Sequence, residues 1–378
     1  MTELTRAPAR VEDGAPIERI DVRCVAMPLQ PQIRSGIHTI DGIHTLIVEV
    51  AAGGEVGLGY AFAFSANEIA AVAALARELA AVVAASPARG VRAHWAAMWQ
   101  RLNFIGHEGP GVMALAAIDT ALWDLLAREA GLPLYRLLGG SERSSEVYAA
   151  GGWLSWSVER VIEEATSFAE SGYRAYKMRV GSADWRADVE RVRKVREALA
   201  DDVGLMIDVN QAWSVDAALR AGRELDELGL LWIEEPVEAQ DHRGHARLAR
   251  ELLTPIAAGE TLWGRRGFAQ LIEAGGVDVV QLDLMRCGGI TGFLAIAPLV
   301  EAARSPISSH LFTQISAHLL AAVPQAYMAE HLPSWFDPLF ESPPEIVDGR
   351  LLASREPGLG LRLSRSALER WEVSAWTI

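Results

Sequence analysis

The sequence predicts an α/β fold: a TIM-type β/α barrel preceded by an α+β capping domain that the C-terminal tail completes. Three observations lead there. From about residue 145, eight apolar runs of strand length recur: EVYAAGGW, YRAYKMRV, VGLMIDVN, GLLWIEEP, TPIAAGET, VDVVQLDL, SPISSHLF and QAYMAEHL. Most intervals between them place apolar residues at three-and-four spacing, the period of an amphipathic helix, as in VERVIEEATSFAESG, WRADVERVRKVREALA, VDAALRAGRELDELG and ITGFLAIAPLVEAARS. Before about residue 140 the rhythm differs, with strands and glycine turns followed by helices.

The opening MTELTRAPARVEDGAPIERI has no apolar core of the kind a signal peptide needs, so residues 1–15 read as a frayed leader. IERIDVRCVAMPLQ and HTLIVEVAAGGEVGLGYAFAF read as strands of a cap over 16–140, which ends in the helical ALAAIDTALWDLLAREAGLPLYRLLGG. The longest apolar run there, IAAVAALARELAAVVAA at 69–85, is broken by Arg77 and Glu78 and is too short to span a bilayer. It is expected as a packed helix. Over 141–345, near-continuous apolar strands alternating with amphipathic helices indicate a parallel sheet covered on its outer face. Eight such units suit a closed barrel better than an open doubly wound sheet. The tail, 346–378, has strand and turn signals in DGRLLASREPGLGLRL and is expected to return to the cap.

The 378 residues include 35 basic and 49 acidic side chains, a formal net charge of −14. That sign argues against nucleic acid or an anionic membrane as the main partner. An anionic small molecule therefore needs a local positive site. Cys24 and Cys287 lie far apart with no metal-type spacing, which points to a reduced, cytoplasmic protein.

Barrel enzymes place their chemistry at the carboxyl ends of the strands. In order, those ends supply Lys177 and Arg179, Asp208, Glu234, Glu260, Asp283, His310 and Glu330. Asp208, Glu234 and Glu260 follow one another at intervals of 26 residues, so three consecutive strands each deliver a carboxylate to one rim. Such a trio repels itself unless a hard divalent cation sits within it, and magnesium is the expected ion. Capping of helix N-termini is the bland alternative. Lys177 and Arg179, two residues apart on a strand, point into one space and face an anion there, read as the carboxylate of a metal-bound substrate. Metal and cations together stabilise the charge that develops when the carbon beside a carboxylate loses its proton. Asp283 and His310 end successive strands, so the carboxylate orients the imidazole as a base. Glu330 is read either as a protonated acid that hydrogen-bonds the substrate or as a helix cap. No P-loop, zinc spacing or Gly-x-Ser-x-Gly is present, and the glycine-rich DLMRCGGITG reads as a tight turn between strand and helix.

The strings YKMRVG, DVNQAW, WIEEPV, AAGET, QLDLMRCGGITG, SSH and AEHL resemble the enolase superfamily, and within it the mandelate racemase group. The resemblance covers nearly the whole chain. It implies Asp208, Glu234 and Glu260 as magnesium ligands and Asp283 with His310 as the Asp–His dyad. It also implies Lys177 steadying the substrate carboxylate, Glu330 hydrogen-bonding it, Asn210 as a substrate-side amide, and a homo-oligomer, dimer or octamer. Branches with lysine at the place of Asp283 are disfavoured. One departure matters: racemases of this group have Lys-x-Lys, and this chain has Lys177-Met178-Arg179. Arginine keeps its proton, so His310 is left as the one good base. One base suits dehydration of an aldonate or aldarate to a 2-keto-3-deoxy acid. A racemase or epimerase, with Arg179 tuned as base by a tyrosine, and a sugar-lactone cycloisomerase are the alternatives on this fold. A Schiff-base aldolase using Lys177 and a catalytically dead barrel are rivals from other classes. Specificity is expected in the cap, from PLQPQIRSGIHTIDGIH with Arg34, His38 and His44, and from the AFAFSAN turn. Trp153, Trp156 and Trp335 follow strand ends, and Arg34, His38 and Trp335 are expected to touch substrate.

Overall fold

The computed structural model describes residues 14–378, so all but the last two residues of the expected leader lie outside the described residues. The cap begins with an antiparallel meander, β1 (Arg19–Arg34), β2 (Thr39–Ala52) and β3 (Glu55–Ala63). Helix α1 (Ala66–Val83) starts at a reciprocal cap, in which Ser65 Oγ accepts from Glu68 N and the Glu68 carboxylate accepts from Ser65 N. Then come α2 (Val91–Arg101), α3 (Pro110–Glu129) and α4 (Leu134–Leu137). Helix α3 lies directly on β3. A Cβ at Gly57 or Gly59 would stand 2.1 Å from the carbonyl oxygen of Ala121 or Ala117, so only glycine permits this approach. By length and composition α3, and not the 69–85 run, is long and apolar enough to cross a membrane, yet 83% of that window is buried inside the protein.

The eight apolar runs become β4 (Ser144–Ala150), β5 (Ala175–Arg179), β6 (Gly204–Asp208), β7 (Ile233–Glu234), β8 (Ile256–Ala258), β9 (Val279–Asp283), β10 (Ile307–His310) and β11 (Met328–His331). Between them lie α5 (Val158–Glu170), α6 (Trp185–Ala198), α7 (Val215–Leu225), α8 (His242–Glu251), α9 (Gly264–Glu273), the single turn α10 (Leu284–Cys287), α11 (Gly289–Ala303) and α12 (Thr313–Leu320). The strands pair in parallel from β4 through β10, β11 returns to β4, and the Ile307–Ala326 bridge closes the ring. Closure explains the apolar runs. Every residue of β5 and β9 is buried, one face against the barrel interior and the other against the helices.

After β11 the chain forms α13 (Pro333–Phe336), β12 (Glu345–Val347), β13 (Arg350–Leu352), α14 (Arg365–Trp371) and β14 (Glu372–Thr377). The tail does not go straight to the cap, as its sequence suggests. β13 first pairs antiparallel with the start of β4, where Leu351 faces Ser145, and only β14 joins the cap by pairing with β1. Cap and barrel are tied by buried polar groups. Asp119 of α3 accepts from Thr291 N at 2.8 Å and Thr291 Oγ1 at 2.6 Å at the start of α11. His318 of α12 accepts from Tyr135 N at Nδ1 and donates to Leu359 O through Nε2, both at 3.2 Å.

Candidate active site

Strand register assembles the site. Parallel pairing sets Arg179 beside Asp208, Asp208 beside Glu234, and Asp283 beside His310. Neighbouring strands lie about 4.8 Å apart, so side chains at matched positions on one face reach each other. Asp208, Glu234 and Glu260 are buried, and each offers a carboxylate oxygen within 4.8 Å of the others. Burial, then the charge of Glu234, push Asp208 up to about 7, even against the pull of Lys177 and Arg179. Glu260 is raised well above the ordinary carboxylate range by burial and by Glu234, Glu235 and Asp208, and its Oε2 has no hydrogen-bond partner. Buried hard oxygens that destabilise one another's charge are the donor set that a divalent cation such as magnesium takes.

The anion expected between Lys177 and Arg179 turns out to be one of the protein's own. Glu330 Oε1 lies 2.9 Å from Lys177 Nζ and 3.8 Å from Arg179 Nη2. Lys177 is fully buried and is also ion-paired with Glu234. Burial opposes its charge, but Glu234 and Glu330 outweigh burial and hold its pKa well above the ordinary lysine value. Glu330 is likewise buried, yet Lys177, His310 and Arg179 hold it down at about 2. The expected protonated acid is therefore a charged acceptor, and its Oε2 takes the Leu311 N–H at 3.0 Å just ahead of α12. Neither Lys177 nor Glu330 lines the cavity described next.

Arg179 is a fixed cation. Its Nη1 donates to Gly151 O at 2.9 Å, and its guanidinium stands 4.3 Å over the Trp153 ring. Burial opposes the charge, but Asp208 and Glu330 keep it above the ordinary arginine value. The phenol of Tyr176 donates instead to Glu164 at 2.5 Å. In the dyad, His310 Nδ1 lies 2.6 Å from Asp283 Oδ2, while Asp283 Oδ1 accepts from Arg286 N at 2.7 Å. In the neutral tautomer that donates Nδ1–H to Asp283, the lone pair is on Nε2, which lies 3.6 Å from Glu260 Oε2.

A cavity of about 310 Å³ lies between barrel rim and cap. Arg179, Asp208, Asn210, Glu260 and His310 line one side, and His38, Phe62 and Phe64 are among those lining the other. Trp335 also lines it and stacks on Trp153, with ring centroids 6.1 Å apart. Of the expected substrate contacts, Asn210, His38 and Trp335 are thus at the cavity, whereas Arg34 and His44 are not. Arg34 is exposed and contributes its backbone carbonyl, to Leu154. Trp156 packs under the Arg160 guanidinium at 3.7 Å. Among the described residues, the larger hollows beside Trp95 and Gln240, about 730 and 880 Å³, hold no comparable carboxylate cluster.

Comparison with known proteins agrees with this geometry. The Mandelate racemase / muconate lactonizing enzyme N-terminal domain matches residues 18–139, and the Enolase C-terminal domain-like family matches residues 160–367. The chain belongs to the mandelate racemase/muconate lactonizing enzyme family of the enolase superfamily. It is 41% identical over 268 residues to the L-talarate/galactarate dehydratase of Salmonella typhimurium, covering 71% of this chain and 67% of that one. It is 34% identical over 360 residues to the 3,6-anhydro-alpha-L-galactonate cycloisomerase of Streptomyces coelicolor, covering 94% and 99%. The crystal structure of the Salmonella dehydratase liganded with Mg and L-lyxarohydroxamate superposes with a TM-score of 0.94 at 33% identity, covering 100% of this chain and 97% of that one.

Among the polar cavity residues of this family member that escape a reading of the sequence are Gln211, Glu235, Thr261 and Arg286. Glu235 follows Glu234, and a period of two sends it to the opposite face. The backbone intervenes. Asn210, Gln211 and Glu235 have φ of +46°, +65° and +35°, so the chain turns left-handed at the ends of β6 and β7. Asparagine tolerates that conformation, which is the available signal; glutamine and glutamate give none.

Proposed function

We propose that this enzyme removes the proton alpha to a carboxylate and dehydrates an acid sugar, an aldonate or aldarate, to a 2-keto-3-deoxy acid. The observation that carries the reading is a single free base, His310 Nε2, facing three buried carboxylates, with a permanently charged arginine where a second base would stand. Asp208, Glu234 and Glu260 would hold magnesium, which would supply positive charge to the substrate carboxylate. His310 takes that proton, with Asp283 fixing the tautomer and favouring the imidazolium. Arg179 offsets the negative charge that spreads over the carboxylate. The β-carbon–oxygen bond then breaks. His310 returns its proton to the departing hydroxyl, which leaves as water, and the enol tautomerises to the 2-keto acid.

Support also comes from what the site lacks in other directions. Racemisation needs a proton carrier on each face, and Arg179 holds its proton. A Schiff base needs a neutral amine, and Lys177 is locked as a cation between Glu234 and Glu330. Cycloisomerisation is the second reading, favoured by the relative matched along nearly its full length. It shares the α-proton step and differs in the internal oxygen at the β-carbon. Screening acid sugars for keto-acid release in the presence of magnesium, with the reaction repeated in D2O, tests the proposal. Deuterium entering both α-epimers at similar rates overturns the one-base argument, and an unsaturated or cyclic isomer without loss of water selects the second reading.

A homo-oligomer and a cytoplasmic setting belong to the same proposal. Phe104 and Ile105 are 98% and 58% exposed beside the stacked rings of Trp95, Trp99 and His107, an apolar surface suited to a second copy. Both cysteines are free and buried. Sedimentation velocity measures the first.

A further inference from the structure

The two walls of the cavity ask for different things of a ligand. On the barrel side, besides Glu260 Oε2 of the carboxylate cluster, two oxygens are buried without a hydrogen-bond partner, Asn210 Oδ1 and Glu235 Oε1. Each belongs to a group whose other end is committed. Asn210 Nδ2 donates to Asp208 at 2.8 Å, and Glu235 Oε2 accepts from Gln211 at 2.8 Å and Thr261 at 3.0 Å. A buried acceptor left empty is costly, so these oxygens are matched by donors that a ligand brings, as sugar hydroxyls do. Both sit beside the carboxylate cluster, where the carbons next to the substrate carboxylate lie.

The cap side is apolar. Ile37, Ile40, Phe62, Phe64, Val72 and Met113 face the cavity. Its polar members are occupied or neutral. Ser35 Oγ accepts from His38 N, and the Glu68 carboxylate caps the N–H groups of Phe64 and Ser65. His38 keeps much of its surface open, but crowding of its ring and then the charge of Arg286 hold its pKa below the ordinary histidine value. Arg286 itself lies on the barrel side, where Nη1 donates to Glu260 O at 2.7 Å and its charge faces Glu235. The cap wall carries no lysine or arginine of its own, so a second carboxylate pressed against it has no cation on that wall to pair with, and burying it unpaired is strongly unfavourable.

We propose, resting on the dehydratase reading, that the substrate is a terminally deoxygenated sugar acid: a monocarboxylate whose hydroxyls lie near the carboxylate and whose far end is a methyl or similar apolar group. The barrel wall reads the hydroxyls through Asn210 and Glu235, and the cap wall packs on the apolar end. An aldarate is disfavoured by its second charge. A hydroxymethyl end is penalised less, since an apolar pocket rejects an added hydroxyl by roughly a factor of 100 at most.

The test is a stereochemically matched series with the magnesium-loaded enzyme: ω-deoxyaldonate, aldonate and aldarate. Each is assayed for α-deuterium exchange in D2O and for keto-acid release. The expected order of kcat/KM is methyl over hydroxymethyl by about 10- to 100-fold, with the aldarate lowest. An aldarate that matches or exceeds the methyl-terminated acid overturns the inference and leaves the dehydratase reading standing. Absence of both exchange and product across the series removes that reading and the inference with it. Ile37→Arg adds a cation to the cap wall at a position 53% exposed, where the fold tolerates it. It is expected to raise aldarate turnover about tenfold and lower that of the methyl-terminated acid. Unchanged selectivity in a folded Ile37→Arg enzyme counts against the proposal.

Discussion

The barrel rim and the cap wall enclose the same cavity but are built by different forces. On the rim, backbone register sets Arg179, Asp208 and Glu234 side by side and Asp283 next to His310. Ladder hydrogen bonds hold those positions whatever the neighbouring side chains do. On the cap side, Phe62 and Phe64 from the end of β3 meet Trp335 and Phe336 of α13, and Phe312 after β10 also touches Phe62 and Phe336. Their backbones are held by the β2–β3 ladder, where Phe62 pairs with Thr45, and by α13, but the rings meet one another only through side-chain packing, at centroid distances of 5.3 to 5.9 Å for the contacts of Phe62. The contrast teaches a division of labour. The part that performs proton transfer is fixed by main-chain geometry, and the part that selects among substrates is a surface that exchanges residues without disturbing the rim.

Four measurements break or sharpen that contrast. The largest effect is expected on the rim. His310→Asn keeps a hydrogen bond to Asp283 but has no basic nitrogen, so kcat is expected to fall on the order of 10³-fold with Tm almost unchanged. On the cap side, Phe62→Ala removes the ring that touches four others and is expected to cost about 3 to 5 kcal/mol of stability. Its kinetic signature is a raised KM, read from substrate-saturation curves. A fall in kcat like that of His310→Asn contradicts the division of labour.

The third measurement probes the joint between the regions. His318 is held neutral by burial, with a folded pKa of about 4 against 6.5 for the free side chain, despite its bond to Leu359 O. Its stabilising contribution is complete above pH 6.5 and is lost as pH falls toward 4, because the unfolded chain binds the proton first. The loss amounts to about 3 kcal/mol at pH 4, measured as the difference in urea-unfolding free energy between wild type and His318→Gln across that window. The smallest effect is expected at the start of α1, where only a helix cap is lost. Ser65→Ala deletes one half of the reciprocal cap of α1 and is expected to cost about 1 kcal/mol, seen as a small drop in Tm with kcat unchanged.

Much of the rim is legible in the residues alone. Asp208, Glu234, Glu260, Asp283 and His310 all stand at strand ends that apolar periodicity marks, and the cavity forms where they meet. Alternation correctly places Lys177 and Arg179 in one space with an anion, and within the protein that anion is Glu330. Glu330 lies 153 residues from Lys177 in the chain, and its ionised state depends on two cations that only barrel closure brings near. Arg34 misleads for a related reason, since a charged residue at the end of β1 carries no mark of whether it faces the cavity or solvent. Glu235 and Gln211 are invisible because left-handed backbone at the strand ends overrides alternation.

Local pattern settled the alternation of strands and helices and the β/α period that brings three carboxylates to one rim, while the arginine in place of a second base stands out only against the racemases that the chain resembles. These follow from side-chain alternation and residue chemistry, which act over a few bonds. Tertiary structure decided the rest: the Glu330 counter-ion, the route of the tail through β13 before β14, and the apolar cap wall opposite two unsatisfied oxygens. Each of those depends on burial and on charges meeting across long loops, where desolvation and Coulomb energy are set by neighbours distant in the chain.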